Sequence, residues 1–198
     1  MAQATAMRRL SAGAAFFAAL AVAACSAPRQ NVDLSTAPAR TAAAPLIAVN
    51  EPVAPAPADG ERIVVRGAAG DVYLLGGAQW ADRATRLAQR RLIVALNAAG
   101  VAAVLPGAVV VAALRVDFQR FEIDAARETA VVDFTATLYD DRTGKAVARA
   151  QFSGAAPAPG VSAQGAAPAL GAALDQAGAR LAHWLRMRPR APRRAAGD

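Results

Sequence analysis

The sequence predicts an α+β domain: a small, mostly antiparallel sheet with two main helices packed on one face. Three observations lead there. Apolar and polar residues alternate with period two through residues 112–152. Apolar residues recur at spacings of three and four across residues 80–99, and again across residues 168–187. Period-two alternation marks strands with one covered and one wet face, and the three-four spacing marks the amphipathic helices that supply the cover.

The elements follow in order. Arg8 and Arg9 stand near the start, no acidic residue precedes Cys25, and residues 10–24 are an apolar, alanine-rich run. That run is shorter than the ~20 residues a membrane-spanning helix needs. A basic start, a short apolar stretch and small residues at its end form a secretory signal over residues 1–24. Val22-Ala23-Ala24-Cys25 resembles the bacterial lipobox, whose cysteine is lipidated and becomes the new N-terminus. The simpler alternative is an ordinary signal peptide with a chance cysteine beside its cleavage site. Cys25 is the sole cysteine, and an unpaired thiol in an exported chain calls for an explanation. A thioether-linked diacylglycerol with an N-acyl chain such as palmitate supplies one. Three chains anchor more firmly than one, because each buried methylene adds ~0.8 kcal/mol. Ser26 follows, not aspartate; under the sorting rule of enteric bacteria this favours the periplasmic face of the outer membrane. No other cofactor is expected.

Residues 25–45 are rich in Ala, Pro, Ser and Thr and bury too little to fold. They read as a flexible tether reaching several tens of ångströms at ~3.3 Å per residue. The domain proper is expected over residues 46–187. Residues 46–49 and 62–67 suit short strands, while Pro52, Pro55 and Pro57 forbid a central strand between them. In residues 70–76, Tyr73 and Leu75 share one strand face, ended by Gly76-Gly77. Residues 80–99 follow as a helix, with Asp82 as its N-cap and Gly100 just past its end. Residues 101–107 suit a strand. Then Leu114, Val116 and Phe118 alternate with Arg115, Asp117 and Gln119. Val132, Phe134, Ala136 and Leu138 do the same, and Ala148, Ala150 and Phe152 return after a turn at residues 140–145. Residues 154–168 read as a Pro/Gly/Ala loop. The last helix carries Leu170, Leu174, Ala177, Leu181 and Leu185 as its stripe. The plan is close to β-α-β-β-β-β-α.

The formal charge of +7 suggests nucleic acid until it is mapped: residues 25–185 carry 15 basic and 14 acidic groups. The body is nearly neutral, so no nucleic-acid partner is expected. The excess sits in the signal, at Arg186 and in the tail over residues 188–198, with Arg188, Arg190, Arg193 and Arg194. The tail reads either as a disordered solvated terminus or as a segment drawn to anionic lipid or lipopolysaccharide phosphates.

Little points to catalysis. His183, the lone histidine, stands near a helix end. Asp140-Asp141 falls in a solvated turn, while Asp117, Glu122, Asp124 and Glu128 read as outward positions. No cluster offers the three or four convergent ligands of a metal site, and no strand–GxGxxG–helix context exists for a nucleotide. No catalytic or metal-binding residue is assigned, and the chain is expected to be a non-enzyme.

The motifs taken together resemble a known family. Residues 63–66 (IVVR), Trp80 at the entry to the first long helix, residues 116–122 (VDFQRFE), the hairpin over residues 138–152 and residues 181–185 (LAHWL) are similar, in order, to the ABC-type transport auxiliary lipoprotein family. That family includes the paraquat-inducible protein C lipoproteins, and the likeness spans roughly residues 45–186. The resemblance implies a non-catalytic outer-membrane component of an Mce-type ABC transport system. Such systems move phospholipid or other hydrophobic molecules between inner and outer membranes. Expected partners are an Mce-domain protein, the ABC permease and ATPase, the membrane through the lipid anchor, and further copies of the chain in a ring. Tyr73, Trp80 and Phe121 are partner-contact candidates, since aromatic anchors often dominate interfaces; the alternative is that they are core residues. Two other classes compete: a periplasmic lipoprotein that regulates a cell-wall synthase, and a carrier that itself holds a fatty chain.

Overall fold

The computed structural model describes residues 46–188 and the backbone of residues 30–32. In order, the elements are β1 (Gln30–Val32), β2 (Ile47–Val49), β3 (Val64–Arg66), β4 (Val72–Leu74), β5 (Ala78–Trp80), α1 (Ala84–Ala98), β6 (Ala103–Val104), β7 (Ala112–Asp124), β8 (Thr129–Asp140), β9 (Ala146–Pro157), a 3-10 turn (Pro159–Val161) and α2 (Ala163–Arg186).

The body is the antiparallel meander β7-β8-β9, paired along almost its full length. The other edge of β7 is shared. β2 lies parallel to its Ala112 end and β3 parallel to its Asp124 end. β6 extends the sheet beyond β2 in parallel, and β4 extends it beyond β3 antiparallel. The fold class is therefore α+β, with a mixed sheet: the long ladders are antiparallel and most of the short ones parallel. β2 and β3 return to β7 through crossovers that contain α1, and such connections permit parallel pairing. The proline-rich stretch between β2 and β3 forms no strand, but it follows β7 through one bridge. Val53 N–H donates to the Val116 carbonyl, and Phe118 N–H donates back to Val53.

The alternation read in residues 112–152 holds, with one interruption that organises the core. Leu114, Val116 and Phe118 point inward, and so do Phe121 and Ile123. In a regular strand, residues 118 and 121 would face opposite ways. A bulge at Gln119, where the register steps from Phe118↔Phe134 to Arg120↔Asp133, restores both phenylalanines to the same side. The inward rings then form one row: Trp80, Phe121, Phe118, Phe134, Phe152 and Trp184, with successive centroids 6.1, 5.3, 5.6, 5.5 and 5.6 Å apart. Edge-to-face and tilted pairs at these separations add ~0.5–1.5 kcal/mol each beyond area burial.

Both helices cover this side. α1 buries Leu87, Ala88, Leu92 and Leu96. Its end is a Schellman motif: Gly100 (φ +81°) donates to Asn97 and Val101 donates to Leu96. Its start is later than expected. Trp80 belongs to β5, Arg83 is the N-cap residue, and Asp82 does not cap the helix; its carboxylate instead accepts from Arg83 N–H and pairs with Arg86. α2 starts earlier than expected, because the Ser162 hydroxyl accepts from Gly165 N–H and caps it. The stretch read as a loop is thus the end of β9, one 3-10 turn and the first helical turns. The strand expected at residues 101–107 shrinks to two residues, pinned when the Asn97 amide both donates to and accepts from the Ala103 backbone. The segment read as a tether also contains a strand: β1 pairs in parallel with β5.

The helices lock to each other through Arg91 and Asp175, joined by two hydrogen bonds of 2.8 and 2.7 Å. Arg186 donates to the Ala99 carbonyl at the end of α1. The small residues of α2 let it approach β9 closely at Gly154. A Cβ there would fall on the Ala173 carbonyl oxygen and lie 3.0 Å from Ala177 N. Gly154→Ala is expected to force helix and strand apart and cost about 1–3 kcal/mol. Thermal and urea unfolding would register this as a lower midpoint; an unchanged midpoint would mean that the helix can shift freely.

Candidate docking surface

Two of the three aromatics singled out for partner contact lie in the core. Trp80 is 1% exposed and Phe121 4%, so neither ring is presented to a partner. The bulge turns Phe121 inward, and pairing of β5 draws Trp80 under it. Tyr73 is different. It is 43% exposed on β4, between exposed Val72 and Leu74. Leu75, expected to share its face, is buried beyond the end of the strand, where its N–H donates to Ile63. β4 pairs with β3 and, among the described strands, with no other. Its outer side therefore offers free backbone groups flanked by three apolar side chains, the arrangement that accepts an added strand.

A second exposed apolar segment links β6 to β7. Leu105 and Val111 are exposed and Val109 is 96% so. No charged residue occurs between Arg91 and Arg115.

The opposite face of the sheet is ionic. Glu122 and Asp124, read as outward positions, do face away from the core, yet arginine side chains bury them. Glu122 accepts two hydrogen bonds from Arg66, at 2.8 and 2.9 Å, and one from Arg120 at 2.8 Å. Asp124 accepts from the side chain and backbone of Arg127, at 2.6 and 3.1 Å. Burial works to raise the Glu122 carboxyl, but the hydrogen bonds and charges of Arg66 and Arg120 outweigh it and hold the group below the usual glutamate value. The Arg127 hydrogen bond, opposed by burial, lowers Asp124.

The paired carboxylates at residues 140–141 are turn residues. Asp140 accepts from Thr143 N–H and hydroxyl, both at 2.7 Å, which lowers its pKa, and Gly144 takes a positive φ of 66°. A groove of about 340 Å³ opens beside them, lined by Asn50, Arg115, Tyr139, Asp140 and Asp141. His183 is exposed on α2. Among the described residues no group of three or more His, Cys, Asp or Glu is placed to hold a metal ion. No described helix is long and apolar enough to cross a membrane. Arg188 stacks over Trp184, 4.4 Å from the ring centre, and so extends the aromatic row with a cation–π contact. Cys25, Arg190, Arg193 and Arg194 lie outside the described residues.

The family model described as ABC-type transport auxiliary lipoprotein component matches residues 30–182. Among solved structures, a Xanthomonas campestris protein of the DUF330 family is similar at 25% identity with a TM-score of 0.61, covering 75% of this chain and 92% of its own. An uncharacterized protein is similar in fold at 14% identity and a TM-score of 0.66, covering 79% of this chain and 98% of its own. Among curated proteins none matches.

The ionic face generates a pH signature. Because the Glu122 pKa is lowered by folding, its pairing stabilises the protein above the unfolded value of about 4.3. That stability is lost as pH falls through the lower folded value. Glu122→Gln is expected to cost about 1–3 kcal/mol at pH 7, since Arg66 and Arg120 lose a charged acceptor. The gap from wild type should narrow in acid, as urea unfolding at pH 7 and pH 3.5 would reveal. An equal gap at both values would mean that the carboxylate charge contributes nothing.

Proposed function

The chain belongs to the ABC-type transport auxiliary lipoprotein family, and from that membership we propose a non-catalytic docking module for a transport system in the cell envelope. Membership in a lipoprotein family implies a membrane anchor, and Cys25, the only cysteine, is the residue that carries it, with diacylglycerol on sulfur and an acyl chain on the new amino terminus. Ser26 directs the protein to the periplasmic face of the outer membrane. There it receives the far end of an Mce-domain protein, whose ABC permease and ATPase supply the energy for moving phospholipid or other hydrophobic molecules. Copies of the chain assemble into a ring around that end. Arg188, Arg190, Arg193 and Arg194 add attraction to anionic phosphate groups at the membrane surface.

The observation that carries the docking role is β4. Three successive exposed apolar residues on a sheet edge would be a liability in a protein without a partner. As a docking strand they supply backbone hydrogen bonds for affinity and an aromatic anchor at Tyr73. Tethering to the membrane raises the effective concentration of that edge.

Tagged protein recovered from native membranes is expected to bring down an Mce-domain protein and its ABC subunits. Tyr73→Lys should reduce that recovery severalfold while leaving the melting temperature close to wild type, because the ring is outside the core. Cys25→Ser should lose both membrane association and recovery. Recovery of cell-wall enzymes with no Mce-domain protein would contradict the proposal.

A further inference from the structure

Strand β1 bears on how the domain sits at its membrane. Gln30 lies five positions after Cys25, whereas Leu46 lies 21 positions after it. Five residues reach at most about 18 Å, and 21 reach about 75 Å. β1 is matched residue for residue with β5: Gln30 with Ala78, Asn31 with Gln79 and Val32 with Trp80. β5 in turn is fixed to the body, since Trp80 N–H donates to the Glu61 carbonyl at 2.8 Å and the Trp80 ring is buried. The chain is therefore fastened to the domain long before it reaches β2.

We infer that the β1–β5 ladder is a clasp that sets this edge of the domain against the lipid bilayer. The inference rests on Cys25 as the lipidated residue. With the clasp closed, five positions of chain separate Cys25 from β1. Their reach of about 18 Å is less than the ~30 Å diameter of a small domain, so no folded partner fits between this edge and the bilayer. The occupant of that space is the lipid surface itself. The end that faces away from the bilayer follows from the same geometry. α1 begins beside the clasp, where Ala84 N–H donates to the Gly60 carbonyl, and runs 15 residues, about 22 Å, to its far end. Ile47 N–H donates there to the Ala102 carbonyl and Val111 N–H to the Leu46 carbonyl. The exposed loop with Leu105, Val109 and Val111 is thus at the end away from the clasp, open to the periplasmic side.

The test uses the mature, lipidated full chain in phosphatidylethanolamine–phosphatidylglycerol vesicles with an energy acceptor in the bilayer. A donor dye is placed on Arg83→Cys or on Val109→Cys, and mass spectrometry verifies the acyl chains on Cys25. Transfer is expected to be stronger from position 83 than from position 109. Trp80 N–H points to Glu61, so Gln79 faces β1 and its carbonyl accepts from Val32 N–H, which Val32→Pro removes. This substitution should cut transfer from position 83 about twofold or more, because a free 21-residue coil has an r.m.s. span of about 25 Å, and should speed amide exchange at Gln79. A flexible insert between Ser26 and Ala27 leaves β1 intact. It should cut the transfer equally while leaving exchange at Gln79 unchanged. Acylated protein with equal transfer from both positions, or a Val32→Pro variant that changes neither transfer nor exchange, overturns the inference and leaves the lipoprotein reading standing. Protein with no acyl chain on Cys25 overturns the bilayer placement together with that reading.

Discussion

The six aromatic rings that run from Trp80 to Trp184 are the feature on which the rest of the structure depends. Beyond residue 24 every phenylalanine and tryptophan of the sequence is in that row. The remaining buried apolar residues are about half alanine and half leucine, valine and isoleucine. Alanine permits close backbone approach, as where α2 meets Gly154, but it supplies little apolar area. The rings are the largest side chains of the core, and they couple β5, all three long strands and α2 in one contact chain. Their common side depends on the bulge at Gln119.

The same phase change sorts the charges. Past the bulge, Arg120, Glu122 and Asp124 occupy the outer face, where Arg66 and Arg127 complete their pairing. A domain sorted in this way has an aromatic interior, a neutralised ionic face and unfinished edges. What it offers is surface: an apolar edge strand at β4, an uncharged exposed loop between β6 and β7, and a short strand, β1, that ties the segment before the domain to the body.

Much of this was legible in the sequence. Long alternating strands declare themselves, and Leu114, Val116, Phe134 and Phe152 lie where period two puts them. The helix stripes do likewise. The short strands were harder. Three residues carry no periodicity, so neither the parallel pairing of β2 and β3 nor the existence of β1 had a local signal. Glycine and alanine at residues 154–156 hide the end of β9, since they read as loop when their packing against α2 is unknown. The mistaken place of Trp80 and Phe121 has a sharper cause. An aromatic residue looks the same in a sequence whether it anchors a partner or a core. The break in alternation between Phe118 and Phe121 was the one signal that could have assigned Phe121 inward. Tyr73 is exposed because its strand is at an edge, a fact of topology that composition does not contain.

The most direct test is a pair of single-residue deletions, followed by near-ultraviolet circular dichroism and thermal unfolding. Gln119 is the unpaired residue of the bulge, so its removal leaves Phe118 and Phe121 on the core side of a regular strand. Thr135 is paired on both sides in β8, and its removal turns half of that central strand inside out. The account predicts that the chain lacking Gln119 keeps its aromatic dichroism and a cooperative transition, and that the chain lacking Thr135 loses both. An unfolded Gln119 deletion, or a native-like Thr135 deletion, would contradict the claim that a single aromatic side organises this domain.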